Sequence, residues 1–140
     1  MTADPEPLRS TLENDLALYL LARSDAGDRE RIEELLASAL ASSRSHGDAG
    51  GVATVQLNRG RAHLQFGEVA LAEPPLREAL DRFRALDDPE GLARTHEELA
   101  RLFDVRNEPG AARRHLEQAR RGYAFLRDEA GLRRLDRWQP

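Results

Sequence analysis

Apolar residues recur along this chain at helical spacing, three and four apart, in seven stretches separated by short polar breaks that carry Gly, Pro or Asp. The first stretch starts behind Asp4, with Pro5 and Pro7 in its opening turn, and runs to about Arg23. Leu8, Leu12, Leu16, Tyr19 and Leu20 give it one apolar face, and Leu18 and Leu21 add a second. Asp25-Ala26-Gly27-Asp28 reads as a tight turn, with Asp28 capping a helix from about Arg29 to Arg44 that buries Ile32, Leu35, Leu36, Ala39 and Leu40. A third helix spans about Val52 to Phe66. A fourth follows Gly67-Glu68 and reaches about Leu86. Proline inside a helix costs about 3 kcal/mol, so Pro74-Pro75 predicts that this fourth helix starts late rather than bends. Asp88 and Pro89 open a fifth helix to about Arg106, Asn107-Glu108-Pro109-Gly110 turns the chain, and a sixth reaches about Arg127. A short last helix carries Leu132, Leu135 and Trp138, which suits it to cover the apolar flank left by the sixth.

The stretches repeat with a period of forty residues. Moving back by one period places Gly91 on Gly51, Ala112 on Ala72, Leu116 on Leu76, Ala119 on Ala79 and Tyr123 on Phe83; a second step places Leu116 on Leu36 and Ala119 on Ala39. Moving forward, Gly91 falls on Gly131 and Leu92 on Leu132, so a fourth copy begins and stops at Pro140. The expectation is an all-α chain forming one domain over 1–140, with units at about 8–47, 51–87 and 89–127 and a capping helix at about 131–138.

Within each unit a small residue, an aromatic or its substitute, Ala, an apolar residue and Ala follow in fixed order: Gly60, His63, Ala72, Leu76, Ala79 in the second, Ala100, Phe103, Ala112, Leu116, Ala119 in the third, Leu20, Arg23, Ile32, Leu36, Ala39 in the first. This order resembles the tetratricopeptide repeat. The resemblance implies a right-handed superhelix of antiparallel hairpins in which the first helix of each pair, here helix A, lines a concave face where a partner peptide lies. The family's common period is about thirty-four residues, so the longer period here implies that helix B and the connector, His46 to Gly51, are each extended, as in the longer repeats of bacterial signalling and transcription regulators.

Composition narrows the chemistry. A third of the residues are charged and all 21 basic ones are arginine. There is no cysteine for disulfide or thiolate chemistry. The acidic, Pro-bearing start does not read as a secretory signal, and the longest apolar run, Leu16 to Ala22, is far short of a bilayer span, which leads us to expect a cytoplasmic protein. Residues 1–90 carry 17 acidic side chains against 10 arginines and residues 91–140 carry 8 against 11, giving −7 and +3. That asymmetry either favours head-to-tail contact or is ordinary variation of a solvated surface.

Assigning core positions leaves one stripe on each A helix: Asn14, Ala17, Leu18, Leu21 and Ser24 on the first, Thr54, Leu57, Asn58, Arg61, Leu64 and Gln65 on the second, Arg94, Glu97, Glu98, Arg101 and Asp104 on the third. The stripe grades from apolar to charged. The residues expected to bind a partner are therefore Asn14, Leu18, Leu21, Leu57, Asn58, Arg61, Leu64, Arg94, Glu97 and Arg101. A matching guest is a protein segment or peptide with apolar residues near the first two hairpins and an acidic side chain or C-terminal carboxylate near Arg61, Arg94 or Arg101. Alternatively Leu18 and Leu21 are covered by the N-terminal residues or by a second copy of the chain, in a homodimer. The family's carboxylate clamp for chaperone tails is matched only by Asn58 and by Arg94 in place of Lys, with Ala17, Leu21 and Glu98 at the remaining positions, so that function is not expected.

Other chemistry is sparse. The Gly-rich run before the third helix lacks the GKS or GxGxxG pattern and the preceding strand of a phosphate cradle. His46, His63, His96 and His115 have no metal-site spacing, and His63 stands at the packed aromatic position. Glu33-Glu34 and Glu97-Glu98 are adjacent acids that diverge on their helices, not an acid-base pair. Arg113, Arg114, Arg120 and Arg121 form a basic stripe interrupted by Glu117 on an acidic chain, which does not suit nucleic acid. No nucleophile, metal cage or cofactor loop points to an enzyme, and no cofactor or membrane partner is expected. The two readings that remain are a non-catalytic protein-interaction module using the A-helix face and a self-associating scaffold using the first helix.

Overall fold

A computed structural model describes residues 6–138, with side chains from Leu8 onward, so the expected start at Asp4 and Pro5 lies outside the described residues. The elements are α1 (Glu6–Arg23), a 3₁₀ turn (Ala26–Asp28), α2 (Arg29–Ser45), α3 (Ala49–Gln65), α4 (Val69–Ala85), α5 (Pro89–Val105), α6 (Pro109–Leu126) and α7 (Glu129–Asp136). No strand occurs among the described residues, and no helix among them is long and apolar enough to cross a membrane. Each helix packs on the next, and α3 also touches α1 and α5. The A helices α1, α3 and α5 thus lie side by side, each backed by its B helix, α2, α4 or α6.

The joints explain the period. Asp48, Asp88 and Asp128, forty residues apart, each cap an A helix by accepting a hydrogen bond from the backbone N–H of Gly51, Gly91 and Gly131 at 2.9, 3.0 and 2.9 Å. Such a cap contributes about 1 kcal/mol. The helix before each joint ends on a left-handed residue, Gly47, Asp87 or Arg127, with the N–H of the following Asp bonded back to Ser43, Phe83 or Tyr123. Gly67 and Asn107 close α3 and α5 in the same way. From α2 to α6 the joints are three residues long, so the expected extended connector is corrected: α3 starts at Ala49, and Gly50 and Gly51 are helical. The length lies in the helices, which have 17 residues each from α2 to α5.

Glycine at the third position after each Asp has a steric cause. A Cβ on Gly91 would overlap the Phe83 ring, and one on Gly131 would lie 2.8 Å from the Tyr123 ring. The N-terminus of one A helix therefore rests directly on an aromatic face of the preceding B helix.

The fourth helix does not start late. α4 begins at Val69 and keeps Pro74 and Pro75 inside it. The backbone bonds they forgo are those to the carbonyls of Ala70 and Leu71, two exposed residues in the first turns, where water can hydrate the freed oxygens. Pro75 is buried and fills core volume beside Leu76.

The core is a chain of three clusters: Leu20, Leu21, Ile32, Leu36 and Val52 around α1 to α3; Leu57, Leu76, Phe83, Leu99 and Phe103 around α3 to α5; Ala93, Leu116, Tyr123 and Leu135 around α5 to α7. The exposure of α1 departs from expectation on both faces, although Leu20 lies in the core. Leu21 and Ala17 are buried, whereas Leu8, Leu12, Leu16 and Tyr19 are 63, 59, 40 and 62% exposed. Both partners of α1, α2 and α3, approach from one side, and among the described residues no helix packs on the other.

Ala in place of Gly91 gains helix propensity but drives a methyl into the Phe83 ring, which is itself buried in the second cluster. Gly91→Ala is expected to lower stability by about 1–3 kcal/mol, read as a lower urea midpoint at unchanged slope; a neutral or stabilising result would contradict the close approach.

Candidate partner-binding groove

Side-by-side A helices leave a groove of about 750 Å³. Leu18, Leu21 and Ala22 come from α1, Arg61, Leu64 and Gln65 from α3, Glu98, Arg101, Asp104 and Val105 from α5, and Trp138 follows α7. A second pocket, about 250 Å³, shares Arg61, Glu98 and Arg101 with it and adds Arg94, Glu97, Tyr123 and Arg134. One compartment is walled mainly by apolar side chains and the other by charge.

Leu18, Leu21, Arg61, Leu64 and Arg101, expected to share a face, meet in the larger compartment, and Arg94 and Glu97 reach the smaller. The expectation of exposure fails at Asn14, Ala17, Leu21, Leu57, Asn58 and Glu97, all of which are buried. Leu21 is 5% exposed and belongs to the first core cluster, packed among side chains of α1, α2 and α3. Asn58 donates to Asn14 at 2.9 Å between α3 and α1, and the Gln65 amide donates to the Leu21 carbonyl at 2.9 Å. These side chains stitch neighbouring A helices together. Leu57 packs in the second cluster.

Glu97 was placed on the open stripe but is 3% exposed. It accepts hydrogen bonds from Tyr123 Oη at 2.7 Å, from two nitrogens of Arg134 at 2.8 Å each and from Arg101 at 2.9 Å. Burial alone pushes its carboxyl pKa up; the bonds from Arg134, Tyr123 and Arg101 override that and hold it at about 2. Tyr123 is pushed well above the ordinary phenol value by burial, by donating its hydroxyl to Glu97 and by that carboxylate's charge. Glu98 contrasts with its neighbour. Burial raises its pKa, Arg101 and Arg61 only partly offset this, and Arg61 stands 3.5 Å away. Trp138 donates to Asp104 at 3.1 Å and lies under the Arg101 guanidinium, 5.9 Å from ring centre to Cζ. The A-helix stripes do not point to Arg134, Tyr123 or Trp138, which come from α7, α6 and the chain beyond α7.

Two other clusters gather side chains of ligand type. Glu33, His63 and Glu68 bring one ligand atom each within 4.8 Å of one another. Arg29 already pairs with both carboxylates and stacks on Phe66, so a cation occupies that charge. His96 and His115 share a hydrogen bond between Nδ1 atoms at 3.0 Å, with His115 stacked on Phe103. Burial lowers the His96 pKa to about 4, helped by His115 and Arg84, and burial with Arg77 and Arg114 lowers that of His115. Basic neighbours on this side disfavour a metal ion.

An array of antiparallel helical hairpins packed in sequence is a helical-repeat solenoid. The profile of the tetratricopeptide repeat matches residues 51–124, and the chain belongs to that family, whose repeats serve as protein-protein interaction modules. No curated protein and no solved structure matches the chain.

The depressed values set an acid response. His96 binds its proton at about 6.5 when unfolded and about 4 when folded, so the unfolded state gains protons first as pH falls and stability drops across that window. Glu97 repeats the loss between about 4.5 and about 2. Urea titrations should therefore show stability falling already between pH 6.5 and 4, by on the order of 2–3 kcal/mol, and His96→Gln should shrink that first phase to the share of His115 while leaving the second. A flat wild-type profile down to pH 4.5 would contradict the buried neutral pair.

Proposed function

We propose that the chain is a cytoplasmic, non-catalytic interaction module whose A-helix groove takes an amphipathic peptide or partner helix. The observation that carries this reading is the joined pair of compartments, apolar walls at Leu18, Leu64, Val105 and Trp138 continuing into arginines at Arg61, Arg94 and Arg101. An apolar side chain on the guest removes the first set from water, and an acidic side chain or C-terminal carboxylate pairs with the second. Asn14 and Asn58 serve this site by holding α1 and α3 in register, Leu57 by seating α3 in the second core cluster, and Glu97 by holding Arg101 and Arg134.

Trp138 is the only tryptophan and lines the groove, so it reports occupancy. Helical peptides selected against the chain from a displayed library are expected to shift Trp138 emission. Val105→Glu, at an exposed groove position, should weaken them by about tenfold or more at an unchanged melting temperature. Peptides that bind with no Trp138 response and ignore Val105→Glu would defeat the reading.

A second reading, self-association through the first helix, is favoured by the exposed row Leu8, Leu12, Leu16 and Tyr19. Antiparallel apposition of two α1 helices sets Leu12 against Leu16 of the other copy and Leu8 against Tyr19. The row supplies a few hundred Å² of apolar surface, below the roughly 800 Å² per partner of a stable interface, so a weak dimer is the expectation. Sedimentation should show dimer rising with concentration in the wild type and folded monomer for Leu12→Glu; a wild type that stays monomeric at high concentration removes this reading.

A further inference from the structure

The smaller compartment holds more positive charge than its own carboxylates use. Four guanidinium groups, Arg61, Arg94, Arg101 and Arg134, border it against only Glu97 and Glu98. Arg134 and Arg101 are committed to Glu97 at 2.8 and 2.9 Å. Arg61 and Arg94 are not. Arg61 approaches Glu98 only at 3.5 Å, Arg94 approaches the exposed Glu90 only at 3.7 Å, and among the described residues neither donates a hydrogen bond. Each has five N–H donors in a planar fork, and like charges gathered in a recess repel one another until an anion joins them.

We infer that this compartment receives a phosphate group, carried as phosphoserine or phosphothreonine on the partner segment that fills the adjoining apolar groove. Arg61 and Arg94, the two guanidinium groups that Glu97 does not hold, match a phosphomonoester, which carries about −1.5 to −2 at neutral pH and three acceptor oxygens. A single carboxylate would leave one charge unmatched. Burial disfavours the charged form of Glu98, and an arriving dianion beside it strengthens that preference, so Glu98 does not oppose entry. Arg61, Glu98 and Arg101 wall both compartments, so one short segment can place an apolar side chain in the first and its phosphate in the second. The inference rests on the groove reading for its carrier but not for the anion.

The experiment uses the whole chain and two kinds of probe. Inorganic phosphate at millimolar concentration should move the ¹⁵N Nε–H resonances of Arg61 and Arg94, and no movement overturns the inference. A groove-binding peptide is then prepared with serine, glutamate or phosphoserine at the position nearest Arg94, and Trp138 emission is titrated. The phosphoserine form should bind about tenfold or more tightly than either other form. Arg61→Gln with Arg94→Gln should erase that advantage, read as the ratio of phosphoserine to serine affinity within each protein; both side chains are about half exposed, so folding is retained. Equal affinity for all three forms overturns the phosphate inference and leaves the groove reading standing. An advantage that survives the double substitution places the anion elsewhere and also overturns it. If a single-stranded oligonucleotide binds as tightly as the phosphopeptide with the same arginine dependence, the site is one for nucleic acid and the inference falls.

Discussion

The architecture depends on one joint, repeated: a B helix ends in a left-handed residue, an Asp caps the next A helix, and a glycine three residues later lets that helix rest on the preceding helix's side chain. Backbone donors at the start of the A helix and carbonyls at the end of the B helix are satisfied within three residues, with no length wasted on loop. Because Gly91 touches Phe83 and Gly131 lies over Tyr123, the approach angle of each A helix is set by contact rather than by a flexible turn. Identical joints place α3 beside α1 and α5 beside α3, and the groove is the consequence. The first A-to-B turn departs from this pattern. A 3₁₀ turn replaces the compact joint there, tied by Arg23 to Asp28 at 2.6 Å.

Polar groups then decide how the A helices sit against one another. Burying an amide costs free energy unless it is bonded, so Asn14 and Asn58 are comfortable only in the register that brings them within 2.9 Å. The link from Gln65 to the Leu21 carbonyl adds a second point. Apolar packing alone tolerates sliding; a buried amide pair and a part-buried amide contact at another height do not. The residues that sequence periodicity offered as partner contacts on α1 and α3 therefore shape the groove more than they line it.

Seven helices, their order and most boundaries were legible because the period fixes equivalent positions, and Asp88-Pro89 and Asn107-Glu108-Pro109-Gly110 mark ends by local chemistry. Two features were misread for physical reasons. Pro74-Pro75 obeyed a propensity rule that the exposed first turns of α4 relax. The two apolar faces of α1 could not be ranked by periodicity, because which one is buried depends on where α2 and α3 approach. The buried Glu97 did have a signal in the sequence. Forty residues earlier Leu57 packs in the cluster with Phe83; in the third unit both change together, to Glu97 and Tyr123. An apolar contact has become a hydrogen bond of 2.7 Å, a paired exchange that the period makes visible.

That exchange makes the terminal helix part of the groove. A carboxylate buried opposite a phenol alone would be destabilising, since the hydroxyl supplies one bond and no charge. Arg134 supplies the charge and two further bonds, and it comes from α7, while Leu135 of the same helix is fully buried in the third cluster. Seating of α7 thus sets the charge of the smaller compartment, and Trp138, two residues past its end, walls the larger one. Helix α7 neutralises the buried acid through Arg134 and packs Leu135 into the third cluster, so loosening it would expose the core and dismantle the charged end of the groove together.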